Sequence, residues 1–150
     1  MKHIKKELFE FCSQIVINKL RTIESTIKSN QKALASETKS SAGDKHETGR
    51  AMLQLEMEKA GQQLKVVGEM KQQLDRLDMK FSSKNIRLGS VVFTNQANYF
   101  IAISAGKIEI ENENYFAISS LSPIGKLLLG KEKNDTIDFR GQSIKIENVL

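Results

Sequence analysis

Between Ile4 and Ala35 the chain has neither proline nor glycine, and apolar residues return at steps of three and four: Phe9, Cys12, Val16, Leu20, Ile23, Ile27 and Leu34, with Asn30 filling the gap. That spacing keeps one stripe on one helix face. The segment Ser36 to Gly49 then holds Ser, Thr, Gly, Asp and Lys, with Ala42 its one apolar residue. The rhythm resumes at Leu53, Met57, Ala60, Leu64, Val67, Met70, Leu74, Leu77 and Phe81. Gly61 and Gly68 each weaken this second helix by about 1 kcal/mol relative to alanine, and close helix approach is the expected compensation. Two long stripes each need apolar cover, and a short connection makes the neighbouring helix the nearest cover. The pattern predicts an antiparallel coiled-coil hairpin over 1–81 with its tip near 36–49. A helical bundle or a dimerisation coil would satisfy the same stripes. Some 35 helical residues reach about 50 Å, a shape suited to bridging or to entering a channel.

Beyond the polar joint Ser82-Ser83-Lys84-Asn85 the period changes. Leu88–Thr94 is rich in Val and Phe, and Tyr99–Ser104 alternates aromatic and aliphatic residues. Lys107–Glu111 alternates apolar with charged residues, so one face is buried and one is wet. Asn112-Glu113-Asn114 reads as a turn and Tyr115–Ser119 as the next strand. Ser122 caps a short helix with Pro123 at its first position, and Gly130 ends it. Thr136–Arg140 and Ser143–Val149 form a last hairpin around Gly141-Gln142. The expected fold class is therefore α+β: a helical hairpin followed by a small β-rich domain over 86–150.

Composition excludes several classes. No apolar run approaches the length of a membrane span, and the basic N-terminus is soon interrupted by Glu10, Ser13, Gln14 and Asn18, unlike a signal peptide. The lone Cys12 closes no internal disulfide, and no Cys/His cluster has zinc spacing; a cytoplasmic location is expected. On the stripe, Cys12 reads as a small buried apolar residue. Lys and Arg outnumber Asp and Glu by 10 to 6 over residues 1–50, by 6 to 5 over 51–84, and match them 7 to 7 over 85–150. The excess positive charge lies on the first half, either as a solvated helix face or as steering toward a nucleic-acid-bearing partner. Tyr99, Phe100, Tyr115 and Phe116 read as core rather than a base-stacking platform, since no Arg cluster adjoins them. His3 falls in a terminus expected to fray, and His46 reads as a solvated tip residue.

The segment Ile118-Ser119-Ser120-Leu121-Ser122-Pro123-Ile124-Gly125-Lys126-Leu127-Leu128-Leu129-Gly130-Lys131, followed by Asp135, resembles the Ile-Ser-x-x-Ser-Pro-Ile/Leu…Leu-x-Gly-Lys…Asp segment of the bacterial Gre transcript-cleavage factors, the GreA/GreB-like transcription elongation factors. Gly43-Asp44-Lys45-His46-Glu47 stands where that family carries Gly-Asp-x-x-Glu-Asn at the tip of its coiled coil. The resemblance implies an FKBP-like C-terminal domain that grips RNA polymerase, with Ser122 and Pro123 in the partner-contacting segment. It also implies a coiled coil inserted in the polymerase secondary channel, stimulating cleavage of backtracked RNA by the polymerase active site. The chain itself would be no enzyme, would have no cofactor of its own, and would act as a monomer with only indirect contact to RNA and DNA and none to a membrane.

By that resemblance Asp44 is a ligand of a Mg²⁺ shared with the polymerase, and Glu47 a second ligand or the group that orients the attacking water. The chemistry is coherent. Mg²⁺ takes oxygen ligands in octahedral geometry, and two-metal sites stabilise both the attacking and the leaving oxygen. Acids three apart lie on one side of a helical turn. Asp44-x-x-Glu47 also reads as a capping-box-like start of the second helix, with negative charge in a favourable first turn; capping and metal delivery are compatible. Thr48 replaces the family's Asn, and Gly49, Arg50 and His46 also depart from its pattern. Those departures motivate an alternative, a secondary-channel regulator without cleavage activity. A peptidyl-prolyl isomerase with a dimerising coil and a purely structural coil are further readings.

Overall fold

In the computed structural model of the chain, residues 2–39 and 43–150 are described, with side chains described at 3–36 and 48–150. The Pro- and Gly-free opening folds as one helix, α1 (Lys2–Lys39), and the second stripe as α2 (Gly43–Asp75). The polar stretch 36–49 is thus much less of a loop than its composition suggests: α1 continues to Lys39 and α2 begins at Gly43. Ala, Ser, Glu, Thr and Lys are all tolerated in helices at modest cost, so polarity without Pro did not end the first helix. The second helix stops at Asp75, short of Phe81. Leu77 and Phe81 therefore lie outside it, and Phe81 is exposed with the Arg87 guanidinium 4.2 Å above its ring.

Two compact units result, residues 16–71 in one and residues 1–15 with 72–150 in the other. Within 16–71, Val16, Ile23 and Asn30 of α1 and Ala60 and Val67 of α2 are buried. Residues 18–23 line a groove together with residues 59–70. These segments are about equally far from the end of α1 and the start of α2, as an antiparallel pair requires. Gly61 and Gly68 do not serve close approach, because a Cβ added at either would meet nothing within 4 Å.

In the other unit Ile4, Leu8 and Cys12 of α1 are buried. Leu8, not Phe9, occupies the stripe. Both choices satisfy steps of three and four, and only the four-residue line Ile4–Leu8–Cys12–Val16 faces inward. His3 is held there, its Nε2 3.0 Å from Glu111 Oε1, and Lys5 Nζ donates to the Phe81 carbonyl at 3.2 Å.

The strands are β1 (Val91–Thr94), β2 (Asn98–Ala102), β3 (Gly106–Ile110), β4 (Glu113–Ser119), β5 (Thr136–Phe139) and β6 (Gln142–Val149), with α3 (Pro123–Leu128) between β4 and β5. They form one mixed sheet in the order β3-β4-β2-β1-β6-β5. All neighbours are antiparallel except β2 and β4, which run parallel from Asn98↔Tyr115 to Ala102↔Ser119. Two hairpins turn on two residues of positive φ: Glu111 (51°) with Asn112 (66°), and Arg140 (52°) with Gly141 (79°). That is the signature of a type I′ turn, whose twist matches paired strands. Each turn sits one residue earlier than composition suggested.

Alternation sorts the sheet into two faces. Val92, Ile101, Ile144 and Ile146 join Ile86, Ile137 and Leu128 of α3 in one core cluster. Phe93 and Tyr115 meet edge to face at 6.1 Å. Phe100 and Tyr115 are fully buried as expected, whereas Tyr99 is half-buried and Phe116 exposed. Phe116 shares its row with Lys107 of β3 and Tyr99 of β2.

Candidate functional site

Asp44 and Glu47 lie in the first two turns of α2. Their side chains, and that of His46, fall outside the described residues. The backbone thus carries both acids on one helical segment at its N-terminal end, where negative charge is favoured. Beyond them Arg50 is exposed and Gly49 half-buried.

The segment around Ser122 and Pro123 is defined in detail. Ser122 is the N-cap of α3: its hydroxyl accepts from the Gly125 N–H at 3.1 Å and donates to the Ser119 carbonyl at 2.6 Å. Both roles of the hydroxyl are used internally, which fixes the loop and leaves no activated nucleophile. Pro123 holds the first helical position and is exposed. Gly125 is required by space, because a Cβ there would sit 2.3 Å from the Ser119 carbonyl oxygen. After the helix, Gly130 adopts a φ of 81°, and its N–H donates to the Ile86 carbonyl at 2.8 Å. Ile86 N–H donates in turn to the Lys131 carbonyl at 2.7 Å, and Asn85 Nδ2 to the Gly130 carbonyl at 3.0 Å. Asp135 Oδ2 accepts from the Glu132 N–H at 2.8 Å.

This rigid mount presents apolar groups that sequence reasoning missed. Leu121 is 69% exposed, and Leu127 and Leu129 are each 37% exposed, while Leu128 between them is buried. The signal was available: three consecutive leucines on a short helix cannot all face one core.

Cys12 is fully buried, and burial pushes its thiol up to about 12, so it stays protonated and unreactive at neutral pH. Burial also raises Tyr99 and Tyr115, the latter with help from Glu113 and Glu111. Among the described residues no group of His, Cys, Asp and Glu is arranged to hold a metal ion, and no helix is long and apolar enough to cross a membrane.

No protein-family model and no curated protein matches the chain. Among solved structures, a transcription factor, Gfh1, aligns over 94% of this chain and 92% of its own, with 19% identity and a TM-score of 0.34. Overlap that loose carries no argument about family or activity.

Proposed function

We propose that the chain is a regulator of RNA polymerase that enters the secondary channel by its helical hairpin and supplies Asp44 and Glu47 to the cleavage of backtracked RNA. The observation that carries this reading is the placement of both acids at the very start of α2, a few residues along the chain from the last described residue of α1. The resemblance of residues 118–135 to the Gre factors supports it, and so does the rigid mount that exposes Pro123 and Leu121. Carboxylates are the hard oxygen donors that Mg²⁺ takes, so the donor set fits a metal held jointly with the polymerase. In that role Asp44 donates an oxygen ligand, and Glu47 orients or deprotonates the attacking water. The hairpin delivers the acids, and the nuclease is the polymerase.

The test is RNA cleavage in stalled elongation complexes, with pull-down of core polymerase alongside. The double variant Asp44→Ala/Glu47→Ala is expected to lose at least tenfold in cleavage rate while still binding. Undiminished cleavage by that variant sinks metal delivery.

A second reading, a channel regulator that binds without stimulating cleavage, is favoured by Thr48, Gly49 and Arg50 directly after Glu47. It expects polymerase capture and altered initiation with no shortened transcripts, from the wild-type chain as well.

A further inference from the structure

Lys5 is unusual for a cation: it is 9% exposed, and lysine is almost never so buried without a partner of opposite charge. Its Nζ donates to one neutral acceptor, the Phe81 carbonyl, at 3.2 Å. The ion pairs formed among the described residues leave it without a carboxylate partner. Burial, and then the Arg87 charge, hold its ammonium below the ordinary lysine range, against a smaller opposite pull from Asp78. Asp78 is itself engaged, accepting from the Lys80 N–H at 3.0 Å. Lys5 lines a cavity of about 620 Å³ whose other walls are Met79, Lys80, Phe81, Ser82, Val149 and Leu150.

An ammonium has three donors, and the Phe81 carbonyl engages one of them. Met79, Phe81, Val149 and Leu150 supply the apolar part of the lining, and Lys80 and Ser82 add a second cation and a hydroxyl. A largely apolar lining with a few polar and cationic groups is the usual make-up of a small-molecule site. A fully hydrated anion such as phosphate gains little from such walls, and a neutral apolar molecule leaves the ammonium unpaired. We infer that this cavity binds a small amphipathic monocarboxylate, its carboxylate on Lys5 and its hydrocarbon part against Met79, Phe81 and Val149. The pairing compensates a buried charge that the fold alone leaves with a single neutral partner. The site is independent of the hairpin acids.

Sodium octanoate titrated into the full-length, ¹⁵N,¹³C-labelled protein tests this directly, with 1-octanol and inorganic phosphate as parallel arms. Saturable one-to-one binding of octanoate is expected, with shift changes confined to Lys5, residues 79–82 and residues 149–150. The Lys5 Cε titration should move upward on binding, because the carboxylate favours the charged amine. Octanol and phosphate should each bind at least tenfold more weakly. Lys5→Met should weaken octanoate at least tenfold, while Lys107→Met, an exposed lysine on β3, should not change it. Equal binding of octanol marks mere apolar adsorption, and equal binding of phosphate marks a bare anion site. Either result overturns the inference, as does the absence of saturable octanoate binding to the unaltered protein, a readout that does not depend on any variant folding.

Discussion

The two compact units are built on opposite economies of burial. Residues 16–71 rest on a thin seam, with Val16, Ile23, Asn30, Ala60 and Val67 buried and no aromatic among them. The unit of residues 1–15 and 72–150 encloses Phe100, Tyr115, Ile101, Ile103, Ile108 and Ile146 almost completely. Glycine makes the contrast concrete. A Cβ added at Gly61 or Gly68 of α2 would meet nothing within 4 Å, whereas Gly125 beside the sheet has no room for a single added carbon. The first region leaves open space at its glycines, and the second does not at Gly125.

The sharpest way to break the comparison is Gly125→Ala. A methyl 2.3 Å from a backbone oxygen forces the Ser119–Ser122 loop and α3 apart, at a cost of about 3 kcal/mol. Urea unfolding followed by tryptophan-independent far-UV circular dichroism would show it, and an unchanged midpoint would refute the close packing of α3.

Cys12 gives a pH signature of the dense unit. Its folded thiol titrates at about 12 against an ordinary 9.0, so the unfolded chain loses its proton first. The stability from the buried neutral thiol is complete below pH 9 and is lost as pH rises toward 12, at about 1.4 kcal/mol per pH unit. Cys12→Val, near in size and without a proton, should flatten that part of the curve; identical alkaline slopes for both proteins would contradict it.

Asn30 tests the seam. Its Nδ2 is buried without a hydrogen-bond partner among the described residues, so Asn30→Leu should raise stability by about 1–2 kcal/mol. A polar residue at such a position commonly fixes helix register at a cost in stability. Sedimentation velocity on the variant therefore reports whether the gain comes with self-association, and a loss of stability would show that the amide is satisfied after all.

Smallest of all, Gly61→Ala should stabilise the helices by about 1 kcal/mol, since it removes backbone freedom and fills open space. A destabilised variant would mean that α2 meets something at Gly61 after all.

Much of this architecture was legible from period alone, and the exceptions share a physical cause. The Ser122-Pro123 cap and all six strands follow from spacing, capping chemistry and alternation, whereas the second helix ends at Asp75 and not at Phe81. What spacing left open was phase: Phe9 and Leu8 both fit the rhythm, and only packing chose Leu8. Turn positions slipped by one because Asn112 and Gly141 announce positive φ, whereas Glu111 and Arg140, which share it, carry no such signal. Exposure of Phe116 was hidden because an aromatic in an alternating strand looks the same on a covered and an uncovered row. For the candidate site, composition left residues 43–49 as a tip or a helix start, α2 takes them in from Gly43, and the chemistry rests on residues 44–47, whose side chains lie outside the described set.

The place of β6 in the sheet has a consequence for any shortened version of this chain. It lies between β1 and β5, so deleting the final hairpin strips a neighbour from β1 along Val92 and Phe93. An interior strand of valines and phenylalanine would become a bare rim of unpaired amides and carbonyls, the kind of surface that recruits strands from other molecules. Trimming from that side would trade a folded domain for an aggregation template, long before it reached any residue with a chemical task.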